Sequence, residues 1–208
     1  DKTQLIFHGQ TFLERVVSQV EKVCHPVILV GDADFSQHQL PPNVQWATDE
    51  NPNCGPLEGI RVGLAKLAPQ ADFAFVTSCD VPLIKPELIR FLFREISDHE
   101  GVVPVSEERI FGMTAIYRTK LHGLIDQRIR TGQLRVSELA TSFQTRQIAV
   151  DLLREIDSEL DSMTLEQLQR LQRDEIAFNA FFEVCAGVRG GFARFPMHLT
   201  SARLAHIV

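Results

Sequence analysis

Apolar positions along the chain alternate between two periods. Leu13, Val16, Val17, Val20 and Val23 recur at the three- and four-residue spacing of a buried helix face, and Thr11 and Glu14 ahead of them have the spacing of an N-terminal capping box. This predicts a helix ending near Lys22 to Val23, before the Cys24-His25-Pro26 break. "VILVGD" (27–32) is then a continuous apolar run, too short for a helix and closed by Gly31, which is the pattern of a strand buried on both faces. "VQWATD" (44–49) is a second strand. Leu57, Ile60, Leu64 and Leu67 give another helical stripe, with Gly63 as a small residue for close packing, and "FAFVTSCD" (73–80) repeats the buried-strand pattern. Pro86 in "IKPELIRFLFREI" sits where a proline opens a helix.

The alternation continues. "GVVPV" and "TAIYR" read as strands, "KLHGLIDQRIRTG" as a helix stopped by Gly132, "LRVSELATSF" as a short helix and "TRQIAVDLL" as a strand. "MTLEQLQRLQRDE" opens with a second capping box, Thr164 with Gln167, and turns Leu168 and Leu171 to its buried side. Strands alternating with helices predict an α/β domain with a doubly wound, mostly parallel sheet, whose ligands bind at the carboxyl ends of the strands. After Asp174 the pattern changes to "IAFNAFFEVC", a glycine-rich "AGVRGG", "FARFPMHL" and "TSARLAHIV", predicted as strand, turn, strand and helix. The expected division is therefore 1–173 and a C-terminal extension, 174–208. That extension reads either as the start of a β-grasp module or as a hairpin and helix packed on the main sheet.

Composition narrows the class. The 208 residues carry a formal net charge of -6, which argues against nucleic-acid binding through a basic patch and in favour of small-molecule work. Without an apolar run near the ~18 residues of a membrane span, and without a charged leader and apolar h-region, a soluble, cytoplasmic protein is expected. Cys24, Cys54, Cys79 and Cys185 are scattered without a C-x-x-C pair and are expected to be reduced, packed thiols.

The candidate chemistry lies just after the strands, at Asp32, Asp49 and Asp80. Any one of them is explained as a loop-starting or helix-capping Asp. Three carboxylates at one sheet edge would repel unless a cation or a donor-rich ligand compensates, which points to Mg²⁺ or to a base or ribose. "GPLEG" (55–59) places glycines around a helix start, where exposed N–H groups and missing side chains admit a ligand to the main chain. In "CDVP" (79–82), Pro82 helps to fix the exit of the chain behind Asp80.

The order D-K, an Asp before G-P-L-x-G, and C-D-x-P after an apolar strand closely resembles the molybdenum cofactor guanylyltransferases, within the nucleotidyltransferases of Rossmann-like fold. In that family Asp1 and Lys2 would close a signature of the form L-A-G-G-x-S-x-R-M-G-x-D-K. The resemblance thus implies that the first, central strand and its glycine-rich phosphate loop are missing ahead of Asp1. About 15 to 25 preceding residues are expected in the natural chain. It covers Asp1 to about Leu171, including "TAIYR", "RTGQLRVSEL" and "DSMTLEQL".

The resemblance implies transfer of GMP from GTP to the terminal phosphate of molybdopterin, with release of pyrophosphate. It implies that Lys2 contacts nucleotide phosphates, Asp32 and Asp49 the nucleoside, and that Gly55 and Gly59 let base or ribose approach. Asp80, with Lys2 the catalytic pair, would hold Mg²⁺, and Asp161 would serve the metal or the pterin side. Other proteins of molybdenum cofactor synthesis are the expected partners. Two departures fall on the side of the second substrate. Met163 stands in the stretch the family writes as N-x-N-T-P-E-D-L, and Gly112 and Met113 stand where a proline and leucine are usual. The alternatives are a cytidylyl or sugar nucleotidyltransferase and, in a different class, a non-catalytic nucleotide-binding or carrier-interaction module.

Overall fold

The computed structural model describes residues 6–7, 9–31, 35–51, 53–82, 84–107, 109–150 and 204–207. A short antiparallel hairpin, β1 (Ile6–Phe7) and β2 (Gln10–Thr11), leads into helix α1 (Phe12–Val20). Gly9 takes a φ of +81° at the turn. The capping box is present in full: Thr11 Oγ1 accepts from the Glu14 N–H, and Glu14 Oε2 accepts from the Thr11 N–H at 2.9 Å. The helix stops at Val20, slightly earlier than the apolar spacing suggests, and Val23 follows in a turn whose N–H donates to the Val20 carbonyl.

β3 (Val27–Val30), β4 (Gln45–Ala47), α2 (Pro56–Leu67), β5 (Phe73–Val76), α3 (Pro86–Arg94), β6 (Gly101–Val105), β7 (Ala115–Arg118), α4 (His122–Arg130), α5 (Leu139–Ser142), β8 (Thr145–Ala149) and β9 (Leu204–Ile207) follow, with short 3-10 turns at Phe35–Gln37, Thr119–Leu121 and Val136–Glu138. The strands form one seven-stranded sheet in the order β4-β3-β9-β5-β7-β6-β8. Strand alternation sorts the core into two layers. Val27, Leu29, Phe73 and Phe75 pack with Val16, Val17 and Val20 of α1 and Leu88, Ile89 and Leu92 of α3. Ile28, Ala74 and Val76 pack on the other face with Leu57, Ile60 and Leu64 of α2 and Ile125 and Ile129 of α4. Helices therefore cover both faces, as the sequence predicts.

Two expectations are corrected in detail. The sheet is mixed: β7 runs antiparallel to both β5 and β6, while the remaining pairings are parallel. The reason is connection length: residues 106–114 between β6 and β7 are fewer than the dozen or so that a parallel crossover requires. The second correction concerns "TSARLAHIV", read as a helix. Its Leu204–Ile207 is strand β9, parallel to β3 with Val27 opposite His206 and parallel to β5 with Phe73 opposite Leu204. It occupies the central slot for which the sequence reading required another strand. There it supplies partners to backbone groups of β3 and β5 that a gap would leave unpaired. The helix expected over 163–175, and residues 174–203 of the extension expected over 174–208 with its β-grasp reading, lie outside the described residues.

Candidate active site

Because β3, β4, β9 and β5 are mutually parallel, their carboxyl ends share one edge of the sheet. β4 runs out into Asp49, which is half-buried, and β5 into Asp80, also half-buried. Lys2, Asp32 and Asp161 lie outside the described residues, so the structure brings Asp49, Gly55, Gly59 and Asp80 to this side of the fold. Asp80 is held locally: Ser78 Oγ donates to its Oδ1. The chain then leaves through Val81 and Pro82, and the Pro82 carbonyl accepts a 2.7 Å hydrogen bond from Arg15 Nε on α1. Arg15 thereby ties the exit of the Asp80 loop to the opposite helix, an interaction between positions far apart in the chain that no local motif reveals.

Gly55 is the N-cap of α2, with φ +64° and ψ -159°, and Pro56 opens the helix. That backbone geometry is open almost only to glycine. A Cβ on Gly55 would meet nothing within 4 Å. The strain of Gly55→Ala is therefore conformational and not steric, and it is expected to cost about 1–3 kcal/mol of stability. Urea unfolding of the variant measures it, and an unchanged midpoint would show that the turn relaxes freely. Gly59 differs. It lies inside α2, and an added Cβ would touch only Val30 Cγ1, at 4.0 Å.

Between Asp49 and Gly55 the chain is bound to a carboxylate that sequence reasoning passed over. Glu58, fully buried in the first turn of α2, accepts from the Glu50 N–H at 3.2 Å, the Asn51 N–H at 3.1 Å and Asn51 Nδ2 at 3.0 Å. Arg61 grips the same carboxylate with two nitrogens, Nε to Oε2 at 2.7 Å and Nη2 to Oε1 at 2.8 Å. Nη2 also reaches Glu50 Oε2 at 2.6 Å. Burial pushes the Glu58 pKa up, but the hydrogen bonds from Arg61 and Asn51 outweigh it and hold the group below its ordinary value. The bond from Glu58 raises the Arg61 pKa in turn, against the burial of the guanidinium.

Cys24 is buried and its pKa is pushed up by burial, while Cys54 and Cys79 are partly buried and in no disulfide, in keeping with packing roles. A separate cavity of about 330 Å³ lies between α1 and α3, lined by Arg15, Lys22, Lys85, Glu87 and Arg90 among others; Asp49, Gly55 and Asp80 do not line it. No helix among the described residues is long and apolar enough to cross a membrane.

A sheet covered by helices on both faces, with carboxylates and a glycine-capped helix at the exits of its parallel strands, has the architecture of a nucleotidyltransferase. Solved structures share it. Molybdopterin-guanine dinucleotide biosynthesis protein A from Archaeoglobus fulgidus superposes with a TM-score of 0.60 at 20% identity, over 81% of this chain and 87% of that one. The 4-diphosphocytidyl-2C-methyl-D-erythritol synthase of Anaerococcus prevotii superposes with a TM-score of 0.53 at 13% identity, over 69% and 78% of the two chains. Residues 1–145 match the MobA-like NTP transferase domain, and the chain belongs to that family. It is 31% identical over 187 residues to a protein of Methanosarcina mazei named probable molybdenum cofactor guanylyltransferase, covering 82% of each. It is 27% identical to the molybdenum cofactor guanylyltransferase of Desulfosudis oleivorans, over 86% of this chain and 88% of that protein.

Proposed function

We propose that this chain transfers GMP from GTP to the terminal phosphate of molybdopterin, giving the guanine dinucleotide form of the cofactor and pyrophosphate. The observation that carries the reading is the joint placement of Asp49, Gly55 and Asp80 on the carboxyl-edge side of parallel strands, in a chain of this family. A phosphate oxygen of the acceptor attacks the α-phosphorus of GTP in line. The new O–Pα bond forms as the bond from Pα to the bridging oxygen breaks, and pyrophosphate leaves with the electron pair. Such a step asks the protein mainly for positioning and charge neutralisation.

In this reading Lys2 contacts the phosphates, and Asp32 and Asp49 contact the nucleoside. Gly55 and Gly59 leave the main chain of α2 open to base or ribose. Asp80 fits a magnesium site: its carboxylate stands at a strand exit and is oriented by Ser78, and Mg²⁺ commonly takes one or two carboxylates plus substrate phosphates. Asp161 is the proposed second acidic contributor. Magnesium, when bound, neutralises phosphate charge and polarises the α-phosphate.

Guanine presents adjacent N1–H and N2–H donors that one carboxylate can accept together, whereas cytosine presents an acceptor beside its amino group. If Asp49 reads the base, Asp49→Ala is expected to weaken GTP binding by about 1–3 kcal/mol and leave the weak binding of CTP nearly unchanged. Calorimetric titration of both nucleotides tests this, and equal losses for GTP and CTP would place Asp49 on the ribose. The function itself is tested by pyrophosphate release with GTP, CTP and sugar phosphates as alternative substrates, with and without molybdopterin. Release that needs both GTP and molybdopterin supports the proposal. Release with CTP, or with a sugar 1-phosphate as acceptor, overturns it in favour of a sister transferase, and nucleotide binding without release indicates a binding module.

A further inference from the structure

Glu58 occupies the third position of α2, where a Glu ordinarily reaches back to the N–H of its own helix cap. Here it reaches farther. Its Oε1 instead collects the main-chain N–H groups of Glu50 and Asn51 and the Asn51 amide, so the segment next to Asp49 is fastened to the helix that Gly55 begins. A buried carboxylate is costly unless paired and hydrogen-bonded. Arg61 pairs it through two nitrogens, and the positive end of α2 favours its charge. Arg61 closes the arrangement by also gripping Glu50, from the same loop.

We propose that Glu58 and Arg61 are positioning residues for the nucleotide: they fasten Glu50 and Asn51, next to Asp49, to the start of α2, so that Asp49 and the Gly55 backbone meet the nucleoside together. This rests on the nucleotidyltransferase reading of the site and adds how its nucleoside side is built. Neither residue touches substrate. The acidic partner sits between Leu57 and Gly59 of the G-P-L-x-G turn, and its reach into the preceding residues makes it more than a helix-capping acid. Arg61 lies one turn farther along α2 and shares that burial, and its second contact, to Glu50, uses a carboxylate whose side chain is 69% exposed. An exposed carboxylate drawn onto a buried guanidinium serves the loop's position better than it serves the core.

The consequence is a split in kinetic constants. Loosening the loop removes binding made equally in ground and transition states, which raises the KM for the nucleotide and spares kcat. Glu58→Gln and Asn51→Ala are compared with the wild type, first by titration with GTP, CTP, ATP and UTP, then by steady-state kinetics with molybdopterin as acceptor. Asn51→Ala deletes an exposed side chain and preserves the core, so it reports even where Glu58→Gln folds poorly. The KM for whichever nucleotide the wild type binds is expected to rise about tenfold, below the ~10²-fold that a 1 Å displacement of a reacting group costs. The KM for the acceptor and kcat are expected to stay within about threefold of wild type. A nucleotide KM within twofold of wild type in both variants, or equal rises for nucleotide and acceptor, overturns the proposal and leaves Glu58 a stabilising residue. Preference of the wild type for CTP would overturn the guanylyl reading alone, with the positioning role then judged on CTP. A wild type that binds none of the four overturns both.

Discussion

Asp80→Asn is expected to lower turnover at saturating nucleotide by about 10²-fold or more while leaving the thermal midpoint nearly unchanged. The substitution keeps size and one acceptor oxygen, so Ser78 Oγ retains a partner and the exit of β5 keeps its course through Val81 and Pro82 to the Arg15 tie. What it removes is a full negative charge at the strand exit. In a reaction that asks the protein for little covalent chemistry, loss of the group proposed to hold a divalent ion against the phosphates falls on the transition state. Single-turnover kinetics with a magnesium titration measures the effect. Near-normal turnover at ordinary magnesium would remove Asp80 from the site.

The largest expected loss of stability is at Phe75. Its ring is fully buried in β5, whose strand neighbours are β9 and β7, and it packs with residues of α1 and α3. Phe75→Ala removes that ring and leaves a cavity that a sheet flanked on both sides closes only in part, at a cost of about 3–5 kcal/mol. Set against the 5–15 kcal/mol or so that such domains possess, this is a large fraction. A domain of this size loses about 2–4 °C in Tm per kcal/mol, so a drop of about 6–20 °C is expected. Trp46, at 56% exposure on the edge strand β4, provides the contrast, and Trp46→Ala is expected to change stability by no more than about 0.5 kcal/mol. Differential scanning calorimetry of the two variants compares them, and equal midpoints would mean that the core is not centred on β5.

The sequence made most of the elements legible where their cause is local. The Thr11–Glu14 capping box, the opening proline of α3 and the stop at Gly132 each depend on residues within a turn of one another. Double-sided burial of β3 and β5 was also readable, since a continuous apolar run of strand length has few other uses. The antiparallel course of β7 was missed because the βαβ alternation was carried past the short connection 106–114, where no helix intervenes. β9 was misread because its pairing depends on partners more than half the chain away, at Val27–Ile28 and Phe73–Val76.

The same distinction runs through the site. Asp49, Gly55 and Asp80 stood out because they follow strands in short motifs. Glu58 looked like an ordinary acid in the first turn of a helix, and only its full burial and its three donors from residues 50 and 51 set it apart. Arg15 gave no signal at all, because its carbonyl partner at Pro82 belongs to another segment of the chain.

Transfer of a guanylyl group is tested by following the label. GTP labelled at the α-phosphorus is incubated with the protein, magnesium and molybdopterin, and the products are separated and weighed by mass spectrometry. The α-label is expected to enter a molybdopterin guanine dinucleotide while the β- and γ-phosphates leave together as unlabelled pyrophosphate. An α-label that remains in GTP, or that appears only in free GMP or GDP whether or not molybdopterin is present, would contradict it.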